Sequence, residues 1–100
     1  MKISCMEKGK TYFIETIKYA FTGVLDDESL LDLKLTDVVM WGIVSPKPEK
    51  FCTDGPDQRS LDNASAMPTH VLERSTIAHI YEWGLPTALS AIKEHANKAG

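Results

Sequence analysis

Residues 69–99, THVLERSTIAHIYEWGLPTALSAIKEHANKA, have the clearest hydrophobic pattern in this chain of 100 residues. In the second half of the stretch, apolar residues recur at steps of three and four, which is typical of one face of a helix. These residues are Leu85, Ala88, Leu89, Ile92, Ala96 and Ala99. Gly84 suits the end of one element and Pro86 the first turn of the next. The pattern predicts two helices, His70–Trp83 and Leu85–Ala99.

The segment Thr11–Leu25 is compatible with two structures. As a helix, it has a broad apolar stripe and a C-terminal stop at Gly23. As a strand, it has the Tyr, Phe, Ile and Thr residues that sheets favour, and Ile3–Glu7 would pair with it in a hairpin. We favour the helix because its stripe is longer than an ordinary strand. The helix would place Tyr12 and Tyr19 seven residues apart, as a contact surface for a partner.

The next segment is acidic. Between residues 26 and 37, five carboxylates stand against Lys34 alone, which gives a local net charge of −4. Acidic residues after a capping Asp are typical of a helix start. The pattern predicts a short helix at residues 27–33, with the strict alternation of residues 31–36 favouring a strand as the alternative. A second cap at Thr36-Asp37 would begin another short helix that ends at Gly42.

Two short helices in succession resemble the beginning of a helix-turn-helix. A recognition helix must follow them, but Pro46 and Pro48 come next and disfavour one. The acidic balance also argues against broad contact with phosphates. A helix-turn-helix regulator is therefore only the alternative function.

Residues 45–68 are polar and rich in turn signals, and they predict a long central loop. One helical turn anchored by Leu61 would fit between Pro56 and Ala64. Loops held by a rigid scaffold often carry recognition. We therefore include Asp54, Asp57 and Arg59 among the candidate binding residues.

No pattern for catalysis or metal binding is found in the sequence. His70, His79 and His95 lack the spacing of zinc ligands, and Cys5 and Cys52 do not form a Cys-x-x-Cys motif. The sequence predicts a non-enzyme with no catalytic residues, no metal and no cofactor. Both cysteines are expected to be free thiols in a reducing compartment.

Composition indicates an ordinary globular chain, with 43% hydrophobic and 25% charged residues and a net charge of −3. The length favours a single domain at residues 1–100. Apolar runs are too short to cross a membrane, and residues 1–7 lack the apolar segment of a signal peptide. We expect a cytoplasmic protein that does not bind membranes.

These observations predict a mainly α fold of four to five helices with a long central loop, and an α+β fold with an N-terminal hairpin as the alternative. Trp41, Trp83 and the C-terminal stripe would form the core. The predicted function is a non-enzymatic protein-binding module, a stoichiometric inhibitor or regulator of the immunity-protein or phage anti-defence type. Its partner would be another protein, one with a basic nucleic-acid-binding surface. The candidate binding residues are Asp26, Asp27, Glu28, Asp32, Asp37, Tyr12, Tyr19, Asp54, Asp57 and Arg59.

Overall fold

The computed structural model describes residues 6–44, 46–85, 89 and 91–94. Its central element is a five-stranded antiparallel sheet with the strand order β4-β3-β2-β1-β5. The strands are β1 (Thr11–Thr16), β2 (Ala20–Glu28), β3 (Asp32–Trp41), β4 (Ala64–Glu73) and β5 (Ile77–Glu82). Two short helices, α1 (Pro48–Asp54) and α2 (Gln58–Asp62), connect β3 to β4, and a 3₁₀ turn at Arg74–Thr76 connects β4 to β5.

The sheet is rolled into an open barrel. Its two edge strands, β4 and β5, follow each other in the chain with only the Arg74–Thr76 turn between them. A 3₁₀ turn of that length spans about 8 Å, whereas the edges of a flat five-stranded sheet lie about 19 Å apart. The backbone therefore bends until the edges approach. The turn is hydrogen-bonded on both sides, from Arg74 N–H to Leu31 O at 2.8 Å and from Ile17 N–H to Thr76 O at 3.2 Å.

Each face of the rolled sheet carries a buried cluster. The inner face carries an aliphatic and aromatic cluster made of Tyr12, Ile14, Phe21, Leu25, Leu33, Leu35, Val38 and Leu72. The outer face carries a second cluster, in which Phe13, Ala20, Val39, Trp41 and Ala64 of the sheet contact Phe51, Cys52, Leu89 and Ile92 of the helices. Consecutive strand residues such as Tyr12 and Phe13 therefore lie in different cores. This double burial removes the alternation of apolar and polar residues that usually reveals a strand.

Phe51 is the aromatic centre of the outer cluster. Its ring lies 5.1 Å from those of Phe13 and Trp41 and 6.0 Å from that of Trp83, measured between centroids. Tilted and edge-on contacts of this kind add stability beyond the area that they bury. Helix α1 is thereby anchored on the outer face of the barrel.

A bulge in β3 changes which of its residues point to the inner face. Residues 37 and 38 lie opposite the single residue Gly23, between the pairs Thr22↔Val39 and Val24↔Thr36. Asp37 takes the left-handed conformation, with φ of 50°. The extra residue shifts the inward positions from odd to even numbers, so that Val38 continues the row of Leu33 and Leu35. Gly23 is needed there because a Cβ atom would lie 3.0 Å from the Cβ of Leu35.

The predicted mainly α fold is wrong. Residues 11–25 form β1 and most of β2 rather than a helix, and Gly23 is an interior strand residue rather than a helix stop. The alternative prediction of β structure is therefore the correct one for this segment. Its proposed partner strand was Ile3–Glu7, whereas the structure pairs β1 with β2 and β5. Residues 1–5 lie outside the described residues. The apolar stripe was misleading because both faces of these strands are covered.

Three other helix predictions are also wrong. The acidic segment spans the end of β2, a turn and the start of β3. Thr36 and Asp37 do not cap a helix, because Thr36 pairs with Val24 inside β3 and Asp37 is the first residue of the bulge. Residues 70–83 contain the end of β4, the 3₁₀ turn and β5. In residues 70–83 the apolar side chains are divided between the two faces, with Leu72, Ile77 and Ile80 at the inner cluster and Tyr81 and Trp83 at the outer one, so they follow no single period. The acidic segment does alternate in β3, but its run of acids resembles a helix start. The predicted central loop contains α1, α2 and the beginning of β4, and Leu61 of α2 packs on the outer cluster.

The C-terminal prediction is confirmed for Leu89 and residues 91–94, whereas Leu85, the first residue of the predicted helix, is not helical. Leu89 and residues 91–94 are helical, and Leu89 and Ile92 are buried against the outer face. Positions 88, 96 and 99 of the predicted stripe lie outside the described residues. Trp41 is buried as predicted, whereas Trp83 is only half-buried. No helix among the described residues is long and apolar enough to span a membrane.

Candidate protein-binding surface

The most exposed apolar side chains gather at two neighbouring turns. Leu30 and Leu31, in the β2–β3 turn, are 94% and 75% exposed, and Ile17, in the β1–β2 turn, is 80% exposed. Both turns are hydrogen-bonded to the 3₁₀ turn that joins the sheet edges. We call Ile17, Leu30, Leu31 and Arg74–Thr76 the corner surface. Exposed apolar residues that cluster in this way are typical of interaction sites.

The backbone of the β2–β3 turn is held in place by Ser29. Its hydroxyl oxygen accepts hydrogen bonds from the N–H groups of Leu31 at 3.3 Å and Asp32 at 3.1 Å. Its carbonyl oxygen accepts a further bond of 2.7 Å from Nε of Arg74, which lies 45 residues later in the chain. The two leucines are therefore displayed on a turn with a defined shape.

A groove of about 540 Å³ runs beside the leucines. It is lined by Leu30, Leu31, Asp32, Glu73, Arg74 and Ser75. Asp32 and Glu73 face each other directly across β3 and β4. The guanidinium group of Arg74 forms an ion pair of 2.7 Å with Glu28. The groove thus combines two leucine side chains with two carboxylates.

The predicted acidic cluster is largely neutralised by nearby cations. Ion pairs join Asp26 to Lys34 at 3.5 Å, Asp27 to Lys8 at 3.2 Å, Glu28 to Arg74 at 2.7 Å and Asp37 to Lys93 at 3.6 Å. The hydrogen bond from Lys8 and the backbone N–H of Glu28 lower the pKa of Asp27. Asp37 lies in the bulge against the C-terminal helix. Of the five acids, only Asp32 lines the groove.

The predicted surface made of both tyrosines is wrong for Tyr12, whereas Tyr19 remains a candidate contact residue. Tyr12 is buried on the inner face, and its hydroxyl oxygen accepts a hydrogen bond of 2.7 Å from the N–H of Glu7. Tyr19 is half exposed in the β1–β2 turn beside Ile17. The helical spacing that placed both rings on one flank does not apply, because the two residues belong to different parts of a hairpin.

The three candidates in the middle of the chain lie on the helical connection. Asp57 caps α2 by accepting a hydrogen bond of 2.8 Å from the N–H of Ser60, which lowers the pKa of Asp57. Asp54 is the last residue of α1, and Arg59 is exposed on α2. Helix α1 and Leu61 of α2 pack on the barrel, so the connection between β3 and β4 covers the outer cluster. Asp57 stabilises this connection as the N-cap of α2.

The reactive side chains of the described residues are dispersed. Cys52 is buried in α1, and burial raises its pKa to about 12, so the thiol stays protonated at neutral pH. His70 stacks on Phe21 with 5.0 Å between ring centroids, and His79 lies 3.6 Å from the carboxylate of Glu15. His95 is outside the described residues. Within the part of the chain that the structure describes, no group of three or more His, Cys, Asp or Glu side chains could hold a metal ion.

No protein-family model matches this sequence, and no curated protein is significantly similar to it.

Sequence reasoning missed the apolar members of the corner surface. The signal was the segment Asp26-Asp27-Glu28-Ser29-Leu30-Leu31-Asp32, in which two leucines interrupt a run of polar residues. In a helix these leucines would face the core, whereas in a tight turn between strands they face solvent. No local pattern indicated that Glu73 and Arg74 line the groove, since the fold brings them beside Leu30 and Leu31 from a distant part of the chain.

Proposed function

We propose that this protein is a non-enzymatic binding module that contacts another protein through the corner surface. The observation that carries the proposal is the near-complete exposure of Leu30 and Leu31 beside the groove. Covering apolar surface stabilises a complex by about 25 cal/mol per Å². The hydrogen bonds of Ser29 order the turn before binding, which lowers the entropic cost of association.

The state of Cys52 is in keeping with a binding role. A buried thiol with a raised pKa is a poor nucleophile, and a free thiol suits a reducing compartment. A cytoplasmic location is accordingly part of this proposal. We do not propose a helical inhibitor of the phage type, because the helical scaffold that it assumed is wrong. We also set aside the helix-turn-helix regulator, because residues 27–41 form the end of β2, a turn and β3.

Quantitative affinity capture tests the proposal. Three tagged baits would be incubated with lysate of the source organism: the wild type, Leu30→Ser/Leu31→Ser, and Val71→Ser. Val71 is a suitable control because it is 53% exposed and does not line the groove. We expect at least one protein that the wild type and the Val71→Ser control capture equally. The double variant should retain about a tenth of it or less, as is common for central apolar contacts.

Equal capture of every protein by all three baits would exclude the corner surface as the binding site. Each variant is first compared with the wild type by circular dichroism and thermal unfolding. Substitutions at exposed turn positions should change the free energy of unfolding by less than about 0.5 kcal/mol. If the variants are folded and as stable as the wild type, a loss of capture results from the changed surface and not from unfolding.

A further inference from the structure

We propose that the groove binds a partner segment in which a Lys or Arg side chain is flanked by apolar residues. This inference rests on the proposed function and specifies the chemistry of the partner at the same site. Its basis is the combination of two exposed leucines with two carboxylates that face each other across adjacent strands.

The electrostatic part of the inference comes from Asp32 and Glu73. Like charges at directly opposite positions of a sheet repel each other. Among the described residues, neither carboxylate has an ion pair, and the Arg74 guanidinium beside them is engaged by Glu28 and by the carbonyl oxygen of Ser29. An incoming cation would relieve the repulsion by lying between the two carboxylates. The groove thus has a net negative charge that an ammonium or guanidinium group complements.

The apolar part comes from Leu30 and Leu31. A free cation would leave both side chains in water, whereas a chain segment with apolar residues next to its Lys or Arg would cover them at the same time. A second copy of this chain is disfavoured as the occupant, because its own corner surface would bring Asp32 and Glu73 against the same acids. Nucleic acid and anionic membranes are disfavoured by the same repulsion.

Selection from a display library of random dodecapeptides tests this inference. Peptides are enriched on the wild type and depleted on Leu30→Ser/Leu31→Ser, so that only binders that depend on the groove survive. We expect the survivors to share a Lys or Arg with apolar residues on either side. Enrichment of acidic or uncharged apolar peptides would overturn the inference and leave the proposed function intact.

Binding of the selected peptides is then measured by fluorescence anisotropy against two charge variants. Asp32→Asn/Glu73→Gln removes both groove carboxylates, and Asp54→Asn/Glu94→Gln removes two exposed carboxylates elsewhere as a matched control. We expect the groove variant to bind about tenfold more weakly, and the control to bind like the wild type. The difference should shrink as salt is raised from about 50 to about 300 mM, since screening acts on the same charges. Equal losses in both variants would overturn the inference.

Two further outcomes separate this inference from the proposed function. If no peptide survives the selection while affinity capture still depends on Leu30 and Leu31, the binding function stands and the basic segment is refuted. If sedimentation shows a dimer that Leu30→Ser/Leu31→Ser abolishes, the occupant is a second copy of the chain, and the inference fails.

Discussion

The indole Nε1–H of Trp41 donates a buried hydrogen bond of 3.1 Å to the hydroxyl oxygen of Thr22. Thr22 is fully buried in β2, and Trp41 is the last residue of β3. This bond satisfies the only polar hydrogen of a large side chain at the centre of the outer cluster. It joins β2 and β3 just below the helices that cover them.

Replacing Thr22 with valine keeps the shape of the side chain but leaves the Trp41 N–H unpaired. We expect Thr22→Val to lower the free energy of unfolding by about 1–3 kcal/mol, the usual cost of a buried unsatisfied donor. Thr22→Ser keeps the hydroxyl group and serves as the control for the hydrogen bond. Urea unfolding followed by tryptophan fluorescence measures both. A valine variant as stable as the wild type would show that the bond contributes nothing.

The C-terminal helix is expected to be part of the core. Leu89 is buried in the outer cluster, so Leu89→Ala should cost about 2–5 kcal/mol through lost burial and the cavity that remains. Glu94→Gln, an exposed change on the same helix, is the control and should leave the melting temperature unaltered. An unchanged melting temperature for Leu89→Ala would remove this helix from the core.

The bulge at Asp37 requires a residue that tolerates positive φ. A β-branched residue is strained in that conformation by about 1–2 kcal/mol. We therefore expect Asp37→Val to be less stable than Asp37→Gly by at least about 1 kcal/mol in chemical unfolding. Both variants lose the ion pair with Lys93, so that pair does not contribute to the difference between them. Equal stability of the two variants would contradict the bulge geometry.

Cys52 provides a test of alkaline stability. Burial raises its pKa to about 12 in the folded chain, whereas an unfolded thiol ionises near its ordinary pKa of about 8.5. Ionisation in the unfolded chain alone favours unfolding, so the Cys52 contribution to stability is complete below about pH 8.5 and is lost as the pH rises toward 12. Unfolding would be measured in Cys5→Ser from pH 7 to 11, with Cys5→Ser/Cys52→Ala as the control.

The control should lose less stability over this range. A smaller slope remains because the pKa values of Tyr81 and Lys10 are also raised, by burial and by a hydrogen bond to Glu7 respectively. Identical pH profiles for the two variants would show that the Cys52 thiol has the same pKa in the folded and the unfolded chain.

Parts of the core could be predicted from the sequence because they follow a local period. Leu89 and Ile92 lie on a helical stripe that is covered on one side only, and both are buried as expected. The strands could not be recognised in the same way. Tyr12, Phe13 and Ile14 are consecutive and all buried, since the inner face meets the barrel core and the outer face meets α1 and the C-terminal helix. A run that is apolar on both faces has no period of two.

The candidate surface depended even more on the fold. The carboxylates of residues 26–37 were recognised as charged, but their pairing with Lys8, Arg74 and Lys93 could not be, because these cations come from distant parts of the chain. The exposure of Leu30 and Leu31 likewise follows from the hairpin and not from their apolar character.

The sequence by itself determined the helical stripe near the C-terminus, the burial of Trp41, and the local charge of the segment around Asp27. These properties depend on composition or on neighbours a few residues away. The tertiary structure alone decided that the chain forms a rolled sheet, that Asp37 is a bulge, and that Asp32 meets Glu73 beside two exposed leucines. Each of these features depends on pairing between strands. The paired residues are far apart in sequence, so a short stretch of the chain does not contain the interactions that stabilise them.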